Sequence, residues 1–285
     1  MIAITMQCRE VMTMFNQGLR MSNKEYREKE GISSSDLKKI VKSPAHFRYW
    51  KDNPQEDTPA LLFGRAAHKY VLETYDFYNE FAIAPVCDRR TKDGKSTYEM
   101  FLKESEGKDV ITLEQFEQID AMRNAAYSTP FVSKLLTNGE KELSFWGVDE
   151  ETGLKIKCRP DCITEMNGRH ILIDYKTCSD AENMKFCRDS IKYGYDLQLA
   201  MYREILRQNT GHDYTVVIIA QEKTLPYATN VFQLSENYLQ SGEEVYKEML
   251  RIYKECEETG NWYGYMRDGI SILGQPDDED VESEE

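Results

Sequence analysis

The stretch RPDCITEMNGRHILIDYKT, Arg159 to Thr177, places two aspartates, Asp161 and Asp174, on either side of an Asn-Gly pair. Asn167-Gly168 is a preferred two-residue hairpin turn, because both central positions of such a turn take positive φ. In the hairpin it predicts, Asp161 stands directly opposite Asp174, with side-chain carbons about 5 Å apart. The same register sets Ile163 against Leu172 and Arg159 against Lys176. Strand alternation then gathers Leu172, Asp174 and Lys176 on one face and sends Ile171, Ile173 and Tyr175 to the other. Facing carboxylates destabilise a fold unless a shared proton or a cation neutralises them.

A hard divalent ion suits such a pair, since magnesium prefers oxygen ligands and often bridges carboxylates to substrate phosphates. A lysine two residues beyond the second carboxylate can orient a water and stabilise charge on a phosphoryl group under attack. The pattern therefore has the parts of a metal-dependent phosphodiesterase site. The competing reading is an exposed hairpin with ordinary salt bridges among Arg159, Lys176 and the acids.

Outward from the hairpin, Glu142–Val148, Gly153–Arg159, Asp161–Met166 and His170–Lys176 are short strand-like runs split by turn residues. Tyr214–Glu222 is a nearly all-apolar strand of the buried kind, while Gly194–Gln208 and Ser235–Cys256 read as helices. Upstream, Gly31–Trp50 reads as helix, turn, helix, with Ser33 or Ser34 as N-cap and Pro44 as the interruption. Further helices are expected over Pro59–Tyr78, which carries His68, and over Leu113–Tyr127; Phe81 to about Gly107 is polar and loop-like. Helices flanking a central mixed sheet make an α/β fold. No internal repeat is found. Residues 31–265 are expected to form one domain, with 1–30 as an N-terminal extension and 266–285 as an acidic, disordered tail.

The 285-residue chain can bury one sizeable core, and 40% apolar with 30% charged residues is an ordinary globular composition. No run approaches the roughly 18 apolar residues needed to span a bilayer. The N-terminus has neither a basic region before its hydrophobic residues nor a small-residue cleavage site, so a cytoplasmic location is expected. Seven cysteines without regular spacing argue against a disulfide framework. Cys158 and Cys162, followed by Cys178 and Cys187, invite a metal-site reading, but strand-like context favours cysteine as a small hydrophobe. Net charge is −14, which at first sight opposes nucleic-acid binding. The tail PDDEDVESEE carries seven acids and no base, leaving −7 for the remainder, and basic clusters occur at Asp88–Lys95 and Leu154–Arg159. An acidic exterior with a basic cleft satisfies this distribution.

R-P-D, twelve residues, then D-Y-K resembles the PD-(D/E)xK nuclease motif. FGRAAHKYVLE, Phe63 to Glu73, resembles the helix with a metal-binding histidine in the RecB-like branch of that superfamily, and Gln198 with Tyr202 matches its Q-x-x-x-Y motif. SSSDLKKIVKSPAHF, the loop DRRTKDGK, ELSFW and KCRPD extend the likeness to the RecE-type exodeoxyribonuclease (exonuclease VIII) catalytic domain, from about Ile32 to Tyr263. The resemblance implies a restriction-endonuclease-like core and a magnesium-dependent exonuclease, with manganese as the alternative ion and one or two ions per site. Such an enzyme degrades one strand of linear duplex DNA from its 5′ end. It leaves a 3′ overhang for an annealing partner of the RecT type, in phage or prophage recombination, and works as a ring-shaped homo-oligomer.

Carried onto this sequence, the resemblance makes Asp161, Asp174, His68 and the Tyr175 carbonyl metal ligands, with Glu142 as a water-mediated one. Lys176 handles the attacking water and the transition state, and Gln198 and Tyr202 orient DNA or the lysine. Arg159, Arg89 and Arg90 are candidate DNA contacts. Related nucleases with an iron–sulfur cluster carry cysteine where Ser43 stands and a C-terminal cysteine cluster; here only Cys256 follows Cys187, so no iron–sulfur cluster is expected. Alternatives on the same core are an endonuclease, a single-strand nuclease, or a catalytically inactive DNA-binding or assembly protein.

Overall fold

Asn167 and Gly168 both take positive φ, 53° and 73°. The turn they make fixes the hairpin: Cys162 pairs with Ile173, Ile163 with Leu172, and Met166 with Arg169. This is the register expected from the sequence, and Asp161 and Asp174 lie one step beyond its last ladder pair.

The computed structural model describes residues 18–54 and 57–270. Its first elements are α1 (Asn23–Glu28), β1 (Ile32–Ser33), α2 (Ser34–Lys42), α3 (Pro44–Asp52) and α4 (Pro59–Leu72). Next come α5 (Phe77–Glu80), β2 (Phe81–Ile83), α6 (Lys92–Glu104), β3 (Asp109–Ile111), α7 (Leu113–Ser128) and α8 (Pro130–Thr137). The strand-rich part holds β4 (Glu140–Lys141), β5 (Phe145–Val148), β6 (Lys155–Cys158), β7 (Cys162–Met166) and β8 (Arg169–Cys178). The chain then forms α9 (Asn183–Lys192), α10 (Tyr195–Thr210), β9 (Tyr214–Glu222), β10 (Thr229–Gln233) and α11 (Glu236–Thr259).

Five strands in the order β10-β9-β8-β7-β4 form the central sheet. Only β8 and β9 run parallel within it, and their connection passes through α9 and α10, as a parallel pair requires. Side-chain alternation on β8 divides the core. Leu172 packs with Val216 and Ile218 of β9, Met201 and Ile205 of α10 and Leu250 of α11. Ile171, Ile173 and Tyr175 join Val217 and Ile219 on the other face, against Val71, Val132 and Leu135. The result is a mixed sheet between helical layers, the α/β class expected.

Several local expectations are corrected. The run 142–159 does not extend the central sheet: β5 and β6 pair with β1 in a separate three-stranded sheet. Pro160, with no N–H to offer a ladder, breaks the chain between Cys158 and Cys162. The helix expected over 59–78 stops at Leu72, and Phe77–Glu80 is a separate short turn of helix. The segment 81–107 is not all loop, because β2 and α6 lie within it; α6 buries only Gly94 and so shows little apolar periodicity. Cys158 and Cys162 are both fully buried, one in each apolar cluster. Residues 1–17 and the tail from 271 onward, which hold most of the expected extension and acidic tail, lie outside the described residues.

Two local features hold α10 in place. Ser33 caps α2 in a reciprocal box with Asp36, and the buried face Ser34, Leu37 and Ile40 seats that helix. On α11, a Cβ at Gly242 would stand 2.2 Å from the carbonyl carbon of Asp196. Only glycine allows the two helices to meet there, two residues before Gln198.

Candidate active site

Helix α4 starts at Pro59 under a Thr58 cap. Phe63, Ala66, Ala67 and Tyr70 enter the core, while Leu61, Gly64, Arg65 and His68, at helical spacing, line an open cleft of about 1110 Å³. His68 Nε2 donates toward Asp161 Oδ1 at 2.9 Å, and its Nδ1 lies 3.5 Å from Glu142 Oε1. Asp161 Oδ2 accepts the Tyr175 N–H at 2.6 Å, which ties the aspartate to the facing strand. Glu142 sits between β4 and β5 with φ of 55°, a left-handed conformation uncommon for a non-glycine residue. Its N–H donates to the Asp161 carbonyl at 3.3 Å, and Arg159 Nε holds its carboxylate at 2.7 Å. One ligand atom from each of His68, Glu142 and Asp161 falls within 4.8 Å of the other two.

Asp174 forms the second half of the site. Its side chain is 1% exposed. Oδ1 accepts the Gln198 amide N–H at 3.0 Å. Oδ2 lies 2.6 Å from Lys176 Nζ, an ion pair off the hydrogen-bond direction, so this buried oxygen has no hydrogen-bond donor. Gln198 Oε1 in turn accepts from Lys38 Nζ at 2.7 Å. Both ammonium groups flank one ring, with Lys176 5.1 Å and Lys38 5.3 Å from the Tyr195 centroid.

Burial and charge act against each other here. Burial disfavours a charged His68, but Asp161 and Glu142 outweigh it and raise the imidazole to about 9. Burial raises the Glu142 carboxyl to about 7 against the pull of His68 and Arg159. For Asp161, burial is overcome by His68, Lys176 and the Tyr175 N–H, and its carboxyl is lowered. Asp174 is raised, chiefly by burial. Lys38, buried and facing Lys176, is lowered to about 7.

The structure thus brings His68, Asp161 and Glu142 into one group, and Asp174, Lys176 and Gln198 into an adjacent one. Tyr202 lines the same cleft with its hydroxyl paired to Ser34. Tyr175 borders the cleft, and its buried ring has its centroid 6.2 Å from that of the His68 imidazole. Arg159 is 8% exposed and is committed to Glu142 and to Asn23 Oδ1, rather than facing Lys176 as the hairpin register suggests. Arg89 and Arg90 are not among the cleft residues; Arg90 pairs with Asp88, and Arg89 lies over Tyr98. Lys38 and Tyr195 escape the sequence reading. Lys38 looks like one of two adjacent surface lysines on an amphipathic helix, and nothing local marks it.

Residues 33–266 match the family described as PDDEXK-like domain of unknown function (DUF3799). The chain belongs to this PDDEXK-like family. No curated protein matches the chain. Among solved structures, a candidate exonuclease from Eubacterium rectale is similar at 21% identity and TM-score 0.59, over 84% of this chain and 88% of its own. SSO0001, at 13% identity and TM-score 0.34, covers 78% of this chain and 77% of its own. VC1899 from Vibrio cholerae, at 12% and 0.24, covers 82% and 59%. The first likeness supports a restriction-endonuclease-like core; the other two are too loose to carry an argument.

The donor set of this PDDEXK-like site fits a hard divalent ion. Two carboxylates and an imidazole converge, and a further buried carboxylate oxygen, Asp174 Oδ2, is met among the described residues by the Lys176 ammonium alone. Carboxylate-rich sets suit magnesium and manganese. When no ion is bound, the protonated His68 is the cation that keeps the carboxylates together. Ligation needs neutral imidazole and ionised carboxylate, so binding an ion expels protons. Affinity for Mn2+ is therefore expected to climb with pH, up to the His68 value of about 9, and then level off. Calorimetry at neutral pH in two buffers of different ionisation enthalpy reads the proton release directly; heats independent of buffer would contradict it.

Proposed function

We propose that this chain is a metal-dependent DNA exonuclease that hydrolyses phosphodiester bonds of linear duplex from its 5′ ends. The observation that carries the reading is that His68, Asp161, Glu142, Lys176 and Gln198 line a single cleft, with Asp174 buried behind it against Lys176 and Gln198. Nine lysines and arginines line that cleft against five acids. A chain of net charge −14 therefore concentrates positive charge where a phosphate backbone would lie.

Mg2+ or Mn2+, one or two ions per site, would be held by His68, Asp161, Glu142 and Asp174, where it supplies activation of water and neutralises charge on the phosphoryl oxygens. Lys176 offers N–H donors to the same region and stabilises charge that grows on the phosphoryl group. Gln198 holds the Asp174 carboxylate in one orientation. Tyr175 does the same for Asp161 through its N–H. Because these donors come from a strand and a helix, they are in place before substrate arrives.

The polarity, the 3′ overhang passed to a RecT-type annealing partner, a recombination role, a cytoplasmic location and a ring-shaped homo-oligomer complete the proposal. Apart from the location, which rests on the lack of secretion-signal features at the N-terminus, they rest on the likeness of SSSDLKKIVKSPAHF, ELSFW and KCRPD to RecE-type domains; the exonuclease description of the Eubacterium rectale neighbour supports the exonuclease reading alone. No helix among the described residues is long and apolar enough to cross a membrane.

The test is digestion of end-labelled linear duplex beside covalently closed circular duplex, with and without Mg2+. Degradation of the linear form alone, only with metal, is expected. Cutting of the closed circle would replace this reading by an endonuclease, and DNA binding without metal-dependent hydrolysis would replace it by an inactive binding module.

A further inference from the structure

We infer that Lys38 is a positioning residue of this site, acting through Gln198 to orient Asp174. An ammonium group has donors only, a carboxylate acceptors only, and a glutamine amide one end of each kind. Lys38 Nζ meets Gln198 Oε1 at 2.7 Å, and Gln198 Nε2 meets Asp174 Oδ1 at 3.0 Å. Reversing the amide would set its NH2 against the ammonium and its carbonyl against the carboxylate, two repulsive contacts in place of two favourable ones. In its ammonium form Lys38 therefore decides which end of Gln198 faces Asp174.

Asp174 depends on that choice. It is almost fully buried, and Oδ2 lacks a hydrogen-bond donor, so the Gln198 amide is the side-chain donor to Oδ1. Among the described residues Lys38 has no carboxylate within ion-pair distance; its ammonium also lies over the Tyr195 ring and is attracted by Asp174 and Asp196. The ammonium is carried by α2, whose capping box and buried face fix it relative to α10. Helix α2 thus serves the metal site without supplying a ligand. The activity arm of the test rests on the proposed nuclease reading, whereas the metal arm does not.

The experiment is a double-mutant cycle with Lys38→Met, which keeps the stem and removes the donors, and Gln198→Ala. Each single change is expected to lower the turnover of linear duplex and the Mn2+ affinity by about tenfold, the effect of losing a charge-assisted hydrogen bond. The double variant should be no worse than Gln198→Ala alone, and Lys38→Arg should recover part of both losses. Additive losses, or Lys38→Met binding Mn2+ like the wild type, would overturn the inference. If Lys38→Met does not fold, Lys38→Ala together with Gln198→Ala closes the same cycle. A wild type that binds Mn2+ but hydrolyses nothing would sink the nuclease reading and leave the metal arm able to decide this one.

Discussion

Lys176→Ala is expected to lower metal-dependent digestion of linear duplex by about a thousandfold, the scale of removing a preorganised donor from a developing phosphoryl charge. Lys176 Nζ sits 2.6 Å from Asp174 Oδ2, with its side chain 20% exposed, so it faces both the carboxylate and the cleft. Its loss acts twice. The donor to the substrate disappears, and Asp174, already raised by burial, loses its cation and takes up a proton more readily. Mn2+ affinity should therefore fall as well. Breaking a buried pair from one side leaves an uncompensated charge, so a stability loss of a few kcal/mol is expected at neutral pH. It should be smaller at a lower pH, because a protonated Asp174 needs no partner. Urea denaturation at the two pH values measures this, and digestion at the wild-type rate by Lys176→Ala would remove the lysine from the chemistry.

Why the hairpin was legible while other parts were not follows from how local their causes are. Two residues, Asn167 and Gly168, set the register of β7 and β8 through their own backbone preferences, and every pairing along the ladder follows from them. Gln198 and Tyr202 show through a helical spacing that survives any tertiary arrangement. Lys38 has no such signature: it matters only because α2 packs beside α10, a contact made across 160 positions. Glu142 is a similar case, since its role depends on a left-handed backbone that brings its N–H to the Asp161 carbonyl and its carboxylate to His68. Helix α6 escaped detection because its stability comes from capping by Thr91 and from propensity, with one buried residue to signal a face. The split into two sheets turns on Pro160 and on pairing with β1, a two-residue strand too short to read as one.

Asp161→Asn should abolish Mn2+ binding detectable by calorimetry, an expected loss of at least about a hundredfold, and hydrolysis with it. The substitution preserves volume, and its amide oxygen can still accept the Tyr175 N–H that Asp161 accepts at 2.6 Å. What changes is charge. His68, raised to about 9 chiefly by this carboxylate against the opposing effect of burial, should fall back toward its ordinary range. The variant should also be less stable over a definite window. Asp161 is depressed in the fold, so its contribution is present above the unfolded carboxylate value and lost as pH falls through the folded one. His68 is raised, so its contribution is complete below about pH 6.5, its unfolded value, and is lost as pH rises through about 9. The deficit of Asp161→Asn should thus be largest between roughly pH 4 and 6.5 and fade on either side. Mn2+ changes the upper limit, because an ion takes the place of the His68 proton and carries the need for Asp161 to higher pH. Equal Mn2+ binding by wild type and Asp161→Asn would leave the facing aspartates as scaffolding, with the tight turn between them serving the fold alone.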